Sequence, residues 1–189
     1  MRGISRITSI FLLAFYICIP IILAPAQNKQ IPKSNFPSAT LPAGLAADTA
    51  DLIITGKIKQ AEPLLLDMKT IKSLPAITFS SVDPWDGKVH QFTGVLLEGI
   101  LDWIGIEDSA YSLVLTARNQ YSVPIRREDY ERYGYIIAYA MDGKEFSADP
   151  DDKKRGPLAI AIDFTKNKDL AQEVYKHQLL WQLHEIQIQ

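Results

Sequence analysis

The chain reads as a single α+β domain, a mixed β-sheet with flanking helices, carried behind an N-terminal leader. Three observations predict that class. Six β-type runs are spread between residues 51 and 188 and only two stretches have helical periodicity, without the regular strand–helix alternation of a doubly wound sheet. The chain beyond the leader is long enough for one sizeable core. No internal repeat divides it.

At the N-terminus, Arg2 and Arg6 precede an apolar run from Ile7 to Leu23 and a small-residue end, Ala24, Pro25 and Ala26, which is the layout of a signal peptide cleaved before Gln27. That run, about 17 residues, approaches the lower length of a spanning helix, so an uncleaved anchor is the rival reading. Residues 27–47 hold Pro32, Pro37 and Pro42 and are expected to form an extended leader, because each proline removes an amide donor and restricts its predecessor. The domain then spans 48–189. Asp51 to Gly56 reads as a strand ending in a turn, and Leu64 to Leu74, apolar at 64, 65, 68, 71 and 74, as one helical face. Ala76 to Ser80 is a short β-type run, and Gly94 to Gly105 reads as a helix stopped by glycine. Leu113 to Ala117 and Tyr135 to Met141 are expected strands, the second closed by an Asp142-Gly143 turn. Leu158 to Phe164 and Trp181 to Ile188 complete the set.

Composition narrows the function classes. The balance of 20 basic and 22 acidic residues becomes 18 against 22 once Arg2 and Arg6 are removed, with no clustered basic face of the kind that binds nucleic acid. Cys18, the one cysteine, lies in the leader, so the exported domain has no disulfide and rests on core packing. His90, His177 and His184 have no metal-ligand spacing in the sequence, and no metal is expected. Ser81 and His90 lack the G-x-S-x-G setting of a hydrolase nucleophile. Asp149 to Arg155 alternates charge around a proline and reads as a solvated loop.

Four segments, taken in order, carry a resemblance. They are Ser81-Val82-Asp83-Pro84-Trp85 with Phe92 to Leu97, Ala138 to Lys144, Arg155-Gly156-Pro157-Leu158, and Tyr175 to Ile188. Together they resemble the sulfite-oxidase-type, or oxidoreductase molybdopterin-binding, domain, whose motifs include C-V-x-x-W, an N-G-K turn and G-P-V. The resemblance implies that fold over about residues 50–189. It also implies a cofactor site at the matching positions, where this chain departs from the family. Ser81 stands where the family has the metal-ligating cysteine, Ala159 where it has an arginine, Gln178 where it has a contact lysine, and Thr165 to Val174 is an insertion.

Losing the thiolate and two cationic contacts argues against a phosphorylated, metal-bearing cofactor. What remains suits a flat polar ring recognised by an aromatic face and polar edge partners. The combination looks like the cysteine-free PruR-type periplasmic regulators. That resemblance implies a non-catalytic protein that binds a reduced pterin without molybdenum, through Ser81, Asp83, Trp85, Arg118, Lys154, Arg155 and Gln178. It further implies a partner, the periplasmic sensory domain of a membrane GGDEF/EAL protein, and control of cyclic-di-GMP and surface attachment. Plainer readings stand beside these roles: Ser81 and Asp83 as turn residues, Trp85 and Trp181 as core aromatics, Arg118 and Gln178 as surface residues. Two other classes remain open, a molybdopterin-dependent oxidoreductase with non-cysteine ligation and an interaction domain with an empty pocket.

Overall fold

Alternating burial organises this chain into two five-stranded sheets. The structure, a computed structural model, describes residues 36, 45–60, 62–147, 155–170 and 172–189. The expected signal peptide and Lys154 lie outside the described residues, as does the leader apart from Phe36 and residues 45–47. No helix among the described residues is long and apolar enough to cross a membrane.

The first sheet has the order β2-β1-β10-β5-β6. Its strands are β1 (Leu52–Gly56), β2 (Leu64–Leu66), β5 (Ser112–Ala117), β6 (Ser122–Arg126) and β10 (Leu183–Ile188). β1 and β10 are parallel and the other pairs antiparallel, so this sheet is mixed. The second is antiparallel throughout, with β3 (Ala76–Val82), β4 (Val89–Leu96), β7 (Ile136–Met141) and β8 (Lys144–Glu145) in that order and β9 (Ala159–Ala161) also on β7. Among the described residues four short α-helices accompany the sheets: α1 (Met68–Ser73), α2 (Leu97–Ile104), α3 (Arg127–Tyr133) and α4 (Gln172–Tyr175). The main core takes Leu52, Ile54 and Ile186 from one sheet, Val95, Ile137 and Ile160 from the other, and Leu97, Ile100, Leu101 and Ile104 from α2. Those four α2 positions repeat at the spacing of one helical face, which is why this short helix is anchored by its apolar side.

Several expected elements differ in extent, and the expected strand from Leu158 to Phe164 is only the three residues of β9. Leu64 to Leu66 belong to a strand, because Leu64 and Leu66 bury alternately against β1, opposite Ile54 and Leu52. The helix starts only after Asp67, whose carboxylate accepts the Thr70 N–H at 2.8 Å and caps α1. Gly94, Val95 and Leu96 likewise close β4 and do not open α2. Gly94 passes β7 so closely that a Cβ there would lie 2.3 Å from the Ile137 carbonyl oxygen. Glycine therefore serves strand packing at this position, and Gly105, at φ 73°, ends the helix as expected. The final strand begins two residues later than expected, since Trp181 makes only an isolated bridge to Ala159.

Phe36, from the expected leader, packs against the core. Its ring comes within 2.4 Å of where a Cβ on Gly99 would sit, so this α2 glycine is the seat of the ring.

Candidate functional site

β3 delivers Ser81 and Val82 to a tight loop, and that loop is held by its own polar groups. The Asp83 N–H donates to Lys88 O and the Gly87 N–H to Asp83 O, each at 2.8 Å. Asp83 Oδ1 accepts the Trp85 N–H at 3.0 Å, and Asp86 Oδ1 accepts the Lys88 N–H at 2.9 Å, the side-chain-to-backbone pattern that makes aspartate a turn residue. The loop thus fixes the backbone from which Trp85 projects. Trp85 is 49% exposed, which removes the core reading for it.

Asp83 is buried and its second oxygen accepts from Arg155, a residue 72 positions later in the chain. The Arg155 guanidinium lies 4.6 Å from the Trp181 ring centroid and 5.9 Å from that of Phe92. It also donates to Met141 Sδ at 3.4 Å. A planar cation against aromatic faces and a buried carboxylate is the setting in which arginine is weakly hydrated and strongly held. Trp181 in turn meets Trp85 edge to face at 5.6 Å.

This cluster separates two spaces. The inner one lies among Asp83, Phe92, Arg155, Ala159 and Trp181 and measures about 10 Å³, room for at most one water. The outer one is a groove of about 210 Å³ walled by Trp85, Tyr121 and Trp181, floored by Ala117, Leu179 and Leu180, and edged by Asn119 and His177. The Asn119 side-chain carbonyl accepts the Tyr121 N–H at 3.0 Å, so the groove-side donor available to a ligand is its NH2 group.

The residues expected at the site therefore divide. Asp83, Trp85 and Arg155 come together; Ser81, Arg118 and Gln178 line neither space. Ser81 is fully buried, and its hydroxyl accepts the Phe164 N–H at 2.9 Å while facing Val82 O at 3.3 Å. It ties the end of β3 to the chain after β9. Arg118 holds its backbone on Gln182 O at 2.9 Å and directs its guanidinium to Asp51, 3.8 Å away. The amide oxygen of Gln178 accepts from the buried Tyr135 hydroxyl, whose pKa burial pushes well above the usual phenol range. Its neighbour His177 is the residue that reaches the groove. Trp181, expected in the core, lines both spaces; Asn119 and Tyr121 had no sequence signal, and His177 had only its place in the matching segment from Tyr175 to Ile188.

His90 occupies a second polar cluster. Its two ring nitrogens face Asp142 Oδ2 at 2.6 Å and Asp86 Oδ2 at 2.9 Å. The hydrogen bonds to Asp142 and then Asp86 raise its pKa above the ordinary histidine value. Potential ligand atoms of Asp83, Asp86 and His90 lie within 4.8 Å of one another, a proximity the sequence spacing concealed. Asp83 is nevertheless committed to Arg155, and both ring nitrogens of His90 are already engaged by carboxylates, those of Asp142 and Asp86.

The site does not fit a molybdenum-bearing pyranopterin. The Ser81 oxygen is buried and already bonded to the Phe164 N–H, Ala159 offers no cation, Gln178 faces Tyr135, and the inner space lined by Arg155 has room for about one water.

The fold is that of a molybdopterin-oxidoreductase-like α+β domain. No family model and no curated protein matches the sequence. Among solved structures, the chain is similar to the sulfane dehydrogenase SoxCD from Paracoccus pantotrophus, at a TM-score of 0.56 and 12% identity over 77% of this chain. This chain spans 39% of that one's length. At this identity the likeness is one of fold, and a distant one.

Proposed function

We propose that this protein is a non-catalytic periplasmic pterin-binding protein. In this reading it signals to a membrane-bound diguanylate cyclase/phosphodiesterase and so modulates cyclic-di-GMP. The observation that supports it best is the aromatic-walled groove beside a closed inner pocket. A reduced pterin has a flat apolar face and an edge of alternating donors and acceptors. Trp85, Tyr121 and Trp181 offer the faces, Asn119 and His177 the polar edge. The periplasmic placement rests on the arrangement from Arg2 to Ala26, and the partner on the resemblance to the PruR-type regulators.

A molybdenum oxidoreductase finds less support, because its metal would have to reach a buried Ser81 oxygen already holding the Phe164 amide. An empty interaction domain accounts for neither the groove volume nor its aromatic walls.

Titration of a tetrahydropterin into the exported protein tests the reading through tryptophan emission. Saturable quenching is expected, and Trp85→Ala and Tyr121→Ala should each weaken binding by about 1–3 kcal/mol, roughly 5- to 150-fold, with the circular-dichroism melt unchanged. Equal affinity in both variants would detach the groove from the ligand. Binding to the sensory domain of a GGDEF/EAL receptor should then depend on the pterin, and pterin-independent binding would remove the signalling half of the proposal.

A further inference from the structure

Sheet edges are sites of unwanted pairing, and proteins protect them by shortness, charge or proline. In this fold β2 has three residues, β6 carries Pro124 and Arg126, β8 is Lys144 and Glu145 alone, and β9 is bridged by Trp181. β3 differs from them all. It has seven residues, Ala-Ile-Thr-Phe-Ser-Ser-Val, with neither charge nor proline, in unbroken register with β4, its one ladder partner among the described residues. Ala76, Thr78 and Ser80 are exposed.

We infer that β3 pairs with β3 of a second copy, antiparallel about a two-fold axis at Phe79, joining the two second sheets into one. The free backbone groups set the register. The Asp83 N–H bonds Lys88 O at 2.8 Å, continuing the β3–β4 ladder, so the ladder bonds recur at Ser81, Phe79 and Ile77. The amide and carbonyl groups of Ala76, Thr78, Ser80 and Val82 therefore point away from β4. With the axis at Phe79, Thr78 of one copy faces Ser80 of the other and Ala76 faces Val82, which sets edge groups that no strand among the described residues pairs against one another, the Val82 carbonyl also accepting from its neighbour Ser81 Oγ.

The occupant is a second copy because the edge suits itself. An isologous pairing sets each side chain against its symmetry equivalent's neighbours, so any charge on the strand would be repeated across the axis; β3 has none. At the axis the two Phe79 rings meet at a non-hydrogen-bonded position, where side chains come closest. Each already lies 6.1 Å from Phe92, so the contact extends an apolar surface that includes the partly buried Ile77. The interface also ends at the binding loop. Val82 leads directly into Asp83 and Trp85, and the second copy's Ala76 lies beside it.

Sedimentation of the exported chain tests this. The wild type should run as a dimer and Thr78→Pro as a monomer, because that amide points off the β4 ladder. Thr78→Lys combined with Ser80→Lys gives the same reading without touching the backbone, by setting like charges across the axis. In the Cys18→Ser background, which carries no thiol, Phe79→Cys should form a disulfide-linked dimer on mild oxidation, since directly opposed non-hydrogen-bonded positions lie within disulfide reach. A monomeric wild type throughout the micromolar range overturns the inference. So does a dimer that survives both edge variants, or a chain that stays monomeric and pairs only with a different protein.

Discussion

Arg155→Met tests the ion pair that closes the inner pocket. The Asp83 side chain is 1% exposed and that of Arg155 14%, so the substitution leaves a buried carboxylate with the Trp85 N–H as its remaining side-chain partner. Removing one member of such a pair costs about 3–5 kcal/mol. Water entering the space vacated by arginine moves the expectation to the lower end, about 3 kcal/mol, even with the loss of stacking at 4.6 Å on Trp181. For a domain of this size each kcal/mol shifts Tm by roughly 2–4 °C, so a fall of about 10 °C is expected. Urea denaturation followed by far-UV circular dichroism gives the free energy directly. The double variant Asp83→Asn with Arg155→Met removes the charge together with its partner and should be more stable than Arg155→Met alone. A cost below about 1 kcal/mol for Arg155→Met, or a double variant no better than it, would refute the reasoning that this pair is structurally coupled and dry.

Ser81→Ala should destabilise by about 1 kcal/mol, because the Phe164 N–H loses its 2.9 Å acceptor and keeps only the 3.1 Å contact to Ile162 O, and a thermal melt of the variant checks this. The His90 cluster predicts pH dependence at two ends. The raised pKa of His90 means that its contribution is complete below about pH 6.5 and is lost as pH rises through the raised value. Backbone donation from Gln91 and Lys88, with His90 second, lowers Asp142 and Asp86 below 3.8, so their contributions are present above that value and lost as pH falls through the lowered ones. Asp86 and Asp142 are exposed and His90 half-buried beside them, so the slopes should be shallow, and His90→Gln should flatten the alkaline one in a series of melts.

The parts of the fold legible in the sequence are those whose burial pattern is local. β1 alternates, β5 and β7 are short apolar runs, and the turn after β7 announces itself as Asp142-Gly143, both at positive φ. Where two periods fit the same residues, the sequence is silent. Leu64, Leu65, Met68 and Ile71 satisfy a helical stripe, yet pairing with β1 claims the first of them and Asp67 caps a helix made of the rest. Pro124 disguises β6, which tolerates it at a sheet edge.

The site shows the same division. Asp83 and Trp85 share one loop, and one motif match points to both. The Arg155–Asp83 contact spans 72 positions, and only the adjoining match at Gly156-Pro157 points to it. Ser81 and Gln178 fall at family-matching positions, but a match in position does not give the direction of a side chain. The hydrogen bonds they accept, from the Phe164 N–H and the Tyr135 hydroxyl, turn both into the packing of the domain. His177 reaches the groove while its neighbour Gln178 does not, a distinction of one residue that depends on the turn before Leu179.

The central claim is that this pocket holds a pterin and no molybdenum. The most direct measurement is the content of the protein purified from the exported fraction under reducing conditions, with elemental analysis for metal and mass spectrometry with fluorescence for pterin. The account predicts a metal-free pterin retained in proportion to protein and depleted in Trp85→Ala. Stoichiometric molybdenum, with the pterin recovered only as its phosphorylated metal-bound form, would contradict it.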